Sequence, residues 1–272
     1  MGRSDASTVE AGTNLVWRTL GHLGAGVIDW CRMVLSLASL MWAVVALAIQ
    51  PRRWRRTTRA VFARQLLHTG VHTIAPVGLV AFLVGIVVVM QAQLWLGRVG
   101  QTGWLGAFLV VAVVRELAPL LTNLIAILRN GSEMTVELAD MTVTGKTRML
   151  DAQGIDPLIH LVMPRVAAMV TSTFCLMILF ILFSFVSGYL FSFILGLRVA
   201  APGIFLNQVL RAFQPEDVVK LLVTGLVPPL LTAAVCCSEG LNTPVTSTAV
   251  PLATRRALSY SVVGLFLVPC IW

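Results

Sequence analysis

The sequence predicts an all-α integral membrane protein: about five transmembrane helices, an N-terminal membrane-embedded elbow helix and a short cytoplasmic coupling helix. Three observations predict it. Of 272 residues, 57% are hydrophobic and only 12% charged, about half the charged share of an ordinary soluble domain. Apolar runs near the length of a bilayer crossing, around 20 helical residues, recur along the chain. Between two of them lies a polar island, 129–165. Hydrocarbon offers its polar groups no partners, so it meets water or another protein.

Residues 1–32 form a cytoplasmic N-terminal segment. They contain Asp5, Glu10 and Asp29, and no apolar run closely follows Arg3, so no secretory signal is expected. The apolar stretch 33–49 has Arg32 before it and Arg52, Arg53, Arg55 and Arg56 after it. Cations on both flanks draw both ends to one side of the membrane. It therefore reads as an elbow or interfacial helix, with a sixth crossing as the alternative. Residues 33–73 thus hold the elbow and a basic juxtamembrane segment, and 74–272 a domain of five spans that includes the polar island 129–165. Spans are expected over 74–96, 104–128, 166–195, 221–239 and 257–272. The last is short and relies on bilayer thinning or on snorkelling of Arg255 and Arg256.

Orientation follows from the cations. Segments 50–73, 129–165 and 240–256 hold most of the Lys and Arg, whereas the opposite loops, 97–103 and 196–220, hold Arg98, Arg198, Arg211 and Lys220. The positive-inside rule places the N-terminus and the polar island in the cytoplasm and the C-terminus in the periplasm. Trp95 and Trp104 flank the short outer loop as interfacial tryptophans do. This asymmetry also accounts for a pI near 10.1 without nucleic acid as a partner. The five cysteines, 31, 175, 236, 237 and 270, lie mostly in or beside apolar runs and read as reduced core residues.

Within the island, Arg129, Glu133 and Glu137 fall at i, i+4 and i+8, one helix face if the second span continues. This stripe is either solvated or a docking surface. Thr144-Gly145 breaks it, a short segment from Lys146 to Gln153 follows with Arg148 and Asp151, and Gly154 ends that segment as a C-terminal glycine does. Asp156 as N-cap and Pro157 in the first turn restart a helix that passes Pro164-Arg165. A short transverse helix between two spans has the shape of a lever.

Arg115 and Glu116 lie within the second expected span. Each charge costs about 2.5–3.5 kcal/mol at the bilayer centre, so the two pair between helices, meet another subunit, or face a polar cavity where a substrate headgroup binds. Pro119 frees a backbone carbonyl near Arg115. Gln91, Gln93 and Asn123 are further polar groups at depth, as packing contacts or cavity groups.

Catalytic and metal motifs fail. Gly145-Lys146-Thr147 would need glycine at 140 for a phosphate loop, and Asp140 stands there. His68 and His72 are four apart, without a third ligand nearby in sequence. No nucleophile and base are set together. The chain is expected to be no enzyme and to hold no metal or cofactor.

Several segments are similar to the MlaE/YrbE family, the permeases of ABC systems that move lipids with Mce-domain partners. Phe62-Ala-Arg64-Gln65-Leu66 with Gly70-Val71 resembles the family's entry to its first span, and Gly85 and Gln91 match that span. Arg115-Glu116-Leu117-Ala118-Pro119 is close to R-E-L-G-P. Arg129, Gly131, Glu137-Leu138 and Met141 match the next motif in part. Gly154-Ile155-Asp156-Pro157, with Leu161-Val162 and Pro164-Arg165, follows G-I-D-P-x-x-x-L-V-x-P-R. Gly240, Thr254 and Arg256 resemble the start of the last span. The resemblance covers about 60–270.

It implies a multi-pass inner-membrane permease that forms a homodimer, or a heterodimer with a related permease. Each copy would dock a cytoplasmic ABC ATPase, which carries ATP and Mg, through the helix after the second span. Phospholipids or other hydrophobic lipids would cross a cavity at the dimer interface. An Mce-domain protein would sit outside, with a STAS-domain protein in some systems. The segment 144–151 departs from the family's T-E-x-I-D-A-L, with Gly145 and Arg148 at its acidic positions and Lys146 added. That implies either an ATPase with a matching acidic groove or weakened coupling. Two readings stay open, a lipid-transporting permease and a degenerate, non-transporting subunit that anchors an Mce assembly. A lipid-modifying membrane enzyme is disfavoured for want of a catalytic constellation.

Overall fold

The computed structural model describes residues 56–99, 108–154, 161–194, 202–244, 246 and 248–270, with Ser39 and Met41 besides. The chain divides into two compact units, Met1–Ala43 and Val44–Trp272. Apart from those two isolated positions, the N-terminal segment and the expected elbow lie outside the described residues, as do Trp104 and 155–160.

Among the described residues the structure is helical. α1 spans Arg56–Val99 and α2 spans Val110–Val143. The short α3, Lys146–Ala152, follows. Then come α4, Met163–Ile194, α5, Pro202–Ala212, α6, Pro215–Leu241, and α7, Ala249–Cys270. All of these belong to the second unit. Four of them, α1, α2, α4 and α6, contain stretches long and apolar enough to cross a membrane. The fifth expected span is helical in α7, whose exposed Arg255 and Arg256 and polar Ser259, Tyr260 and Ser261 dilute its apolar run.

α1 runs through the boundary expected at residue 74. Its 44 residues continue past Pro76, a length of about 66 Å, so residues 56–73 of the basic juxtamembrane segment and the first span are one continuous helix. α2 likewise extends past the expected end at 128. It is not uniform: Val110–Leu117 and Ile127–Gly131 are π-helical. The first π segment ends two residues before Pro119, and the Ala118 N–H closes it by bonding Val113 O. In the second, the Ser132 hydroxyl donates to the carbonyls of Leu128 and Arg129, at 2.6 and 2.9 Å. Such segments arise where an extra residue is fitted into a helix, and a 3.6-residue pattern gives no sign of them.

α1 and α4 share the longest interface, built on small residues. Gly85 lies against the backbone of Ser184 and the Ser187 hydroxyl, and Gly188 lies against Val89. Ser187 donates to Phe82 O at 3.1 Å, and Ser192 donates to Gln93 Oε1 at 3.1 Å. With no hydrophobic force between helices in lipid, close backbone approach and such hydrogen bonds hold the pair. Fully buried Phe180 joins Val77, Ala81, Ala118, Leu176 and Met177 where α1, α2 and α4 meet. α2 and α6 run parallel. Gly131 faces Cys236 and Thr232, and Gly240 faces Leu138.

α3 sits between two left-handed glycines, Gly145 at φ 75° and Gly154 at φ 73°. A side chain at a left-handed position costs about 1–2 kcal/mol. Gly145→Ala and Gly154→Ala are therefore each expected to loosen α3 by that amount. No residue of α3 is buried, so the thermal unfolding midpoint should stay in place while limited proteolysis within 144–154 speeds up.

Candidate functional site

The polar residues of α2 find their partners on α6. Gln214 caps α6 in a capping box, its N–H donating to Asp217 Oδ2 at 2.9 Å, and Pro215 opens the first turn. That holds Asp217 toward α2, where its Oδ1 faces Arg115 Nε at 2.5 Å. One turn on, Lys220 Nζ reaches Glu116 Oε1 at 3.2 Å. Two adjacent, oppositely directed ion pairs thus join the N-terminal parts of α2 and α6. They differ in burial: the Asp217 side chain is 3% exposed, that of Glu116 62%.

Asn123 adds a rung further along. Its Nδ2 donates to Pro119 O at 2.7 Å and to Thr224 O at 3.1 Å, so it caps a carbonyl of its own helix and ties α2 to α6. Its buried Oδ1 has no partner. Arg115, Glu116, Pro119, Leu120, Asn123, Lys220, Thr224, Pro228, Leu265 and Phe266 line a cavity of about 290 Å³. Charged groups stand at one end of this groove, and Pro228, Leu265 and Phe266 give it an apolar side. Gln91 and Gln93 are not part of it: Gln91 is exposed on α1, and Gln93 accepts from Ser192.

At the other end of α2 the expected charged stripe is largely stapled to its neighbours. Glu133 lies 3.6 Å from His68 Nδ1 on α1. Glu137 lies 3.0 Å from Arg165 Nη2 on α4, and Arg165 is buried. Nearby, the Thr73 hydroxyl donates to buried Asn130 at 2.8 Å. Arg129 is exposed beside an open hollow lined also by Pro76, Leu128 and Ser132. Lys146, Arg148, Asp151 and Gly154 are all exposed, while Asp156 and Pro157 lie outside the described residues. Among the described residues no group of three metal-ligating side chains gathers.

Asp217 and Lys220 are the functional candidates that sequence reasoning missed, because it placed them in an outer loop. Pro215-Glu-Asp before an apolar run was the available signal, since proline and acids favour a helix's first turn.

The family model for Permease MlaE matches residues 62–272. The chain belongs to the MlaE permease family. The groove, α2 and α3 all fall inside the matched region. Among relatives, a probable ABC transporter permease of Synechocystis sp. is 30% identical, with 88% of each chain covered. A probable ABC transporter permease of Rickettsia conorii is 25% identical over 90% of this chain and 92% of its own. The chloroplastic protein TRIGALACTOSYLDIACYLGLYCEROL 1 of Arabidopsis thaliana is 31% identical over 79% of this chain, which spans 59% of that protein.

Proposed function

We propose that this MlaE-family permease is the membrane subunit of an ABC transporter that moves phospholipids or related hydrophobic lipids. In this reading a separate cytoplasmic ATPase supplies ATP and Mg chemistry, and an Mce-domain protein works on the periplasmic side of the inner membrane. The permease functions as a dimer, and a STAS-domain protein is a further candidate subunit. The N-terminus and α3 are cytoplasmic and the C-terminus periplasmic, in line with the placement of Lys and Arg. The observation that carries the reading is α3: a helix with no buried residue, held just beyond the end of a span whose other end carries the groove.

The groove suits a lipid. Its volume is near the lower end for ligand pockets, and it offers charge beside apolar surface. The two ion pairs divide the work. Arg115 with buried Asp217 fixes α2 against α6. Lys220 is half-buried but its partner Glu116 is 62% exposed, and a pair open to solvent contributes only about 0–1 kcal/mol. They can therefore separate at little cost, freeing Lys220 for a phosphate and Glu116 for a cationic headgroup. Leu265 and Phe266 lie along acyl chains. Force on α3 passes through Thr144-Gly145 into α2, whose π segments allow local change of register near Arg115.

Affinity purification of the tagged chain from its native membrane, followed by protein and lipid mass spectrometry, tests this. The expected eluate holds an ATPase, an Mce-domain protein and phospholipid in excess of a control membrane protein. Mce-domain protein without any ATPase would replace the reading with that of a non-transporting anchor.

A further inference from the structure

α3 carries its charges in the order that weakens an isolated helix. Helix dipoles favour anions in the first turn and cations in the last. α3 begins with Lys146 and Arg148 and has Asp151 in its last turn, with no acid in the first turn, no base in the last and no side-chain cap. Nothing buried compensates, since no residue of α3 is buried. Among the described residues, Glu137 pairs with Arg165 and Glu133 stands beside His68, while Lys146, Arg148 and Asp151 enter no ion pair. Met149 stands among them with 66% of its surface exposed, a flexible apolar side chain suited to an adaptable contact.

We infer that α3 is a charge-selective plug, completed by an ATP-hydrolysing subunit whose groove presents carboxylates to Lys146 and Arg148, a cation to Asp151 and an apolar pocket to Met149. This rests on the proposed transporter reading and adds the polarity of the partner surface. Partner choice follows from it. A groove with cations opposite the start of α3 is repelled, because facing like charges penalise the wrong partner more strongly than facing opposite charges reward the right one. Left-handed glycines bound α3 at both ends, and the order of signs between them is a property that the partner can read.

The test uses the full tagged chain in its own membrane, as wild type and as Lys146→Glu with Arg148→Asp. The ATP-hydrolysing subunit recovered per copy of permease is counted by mass spectrometry. Equal membrane abundance and an unchanged elution profile of the two permeases show that the bundle is intact, which is expected because α3 touches no core. The expected result is recovery with the wild type and a drop of about tenfold or more with the double variant, one decade in affinity. Equal recovery with both would overturn the inference and leave the transporter reading standing. Recovery with neither would remove the transporter reading, and the inference with it.

Discussion

Arg115→Ala is expected to destabilise the purified permease by about 3–5 kcal/mol, the scale for removing one partner of a buried ion pair. The loss comes from what is left behind. Asp217 is 3% exposed and Arg115 Nε is the cation facing it, so the variant strands a carboxylate in a low-dielectric setting. Arg115→Ala combined with Asp217→Asn should recover much of the loss, because asparagine removes the charge and still offers an oxygen to the Gln214 N–H that Asp217 now accepts. Lys220→Ala next door gives the contrast. Its partner Glu116 is 62% exposed, so no more than about 1 kcal/mol is at stake. Denaturation of the four proteins in one detergent measures all these differences. Equal losses for Arg115→Ala and Lys220→Ala would show that burial does not separate the two pairs.

The same cluster shows where the sequence is legible and where it is not. Arg115 and Glu116 stand out in an apolar run because a charge in lipid needs a partner, and that much follows from solvation alone. Their partners could not be read. Asp217 and Lys220 sit just before a strongly apolar stretch, where hydropathy alone draws the line between loop and span. α6 instead begins at Pro215, because a helix start is set by capping and backbone geometry. Gln214 is the cap, and glutamine is not among the preferred capping residues.

The long elements were legible for the same reason in reverse. The span in α4 follows from apolar length, and the break, short helix and break around α3 follow from Gly145 and Gly154. The extent of α1 was not legible. Its basic first part reads as a separate juxtamembrane segment by charge, yet no backbone feature between Arg64 and Pro76 stops a helix, and Pro76 itself is accommodated. Spacing sets Arg129, Glu133 and Glu137 one turn apart, but Arg129 lies in the π-helical Ile127–Gly131, which the spacing does not foretell. That Glu133 and Glu137 would be held by His68 and Arg165, and that Gln93 would belong to the α1–α4 contact, depends on how three helices come together.

Gly85 and Gly78 sit two turns apart on α1 and are expected to respond to alanine with opposite signs. A methyl group at Gly85 meets the Ser184 carbonyl and the Ser187 hydroxyl, closer than atoms can approach, whereas one at Gly78 meets nothing within 4 Å. At Gly85 the obstruction is partly backbone, so rotating a side chain does not relieve it and the two helices must separate. Overpacking of this kind costs about 1–3 kcal/mol, and separation also lengthens the Ser187 bond to Phe82 O, now 3.1 Å. At Gly78 alanine adds no contact and removes only the freedom that glycine brings to a helix interior, a gain of about 0.5–1 kcal/mol. Gly85→Val should go further and lower the yield of folded protein, since its two methyl groups enter the same crossing. The midpoint of thermal unfolding in detergent reads the difference. The α1–α4 crossing as described requires it to fall for Gly85→Ala and to hold or rise for Gly78→Ala. Equal shifts would mean that helix propensity, not backbone proximity, governs both sites.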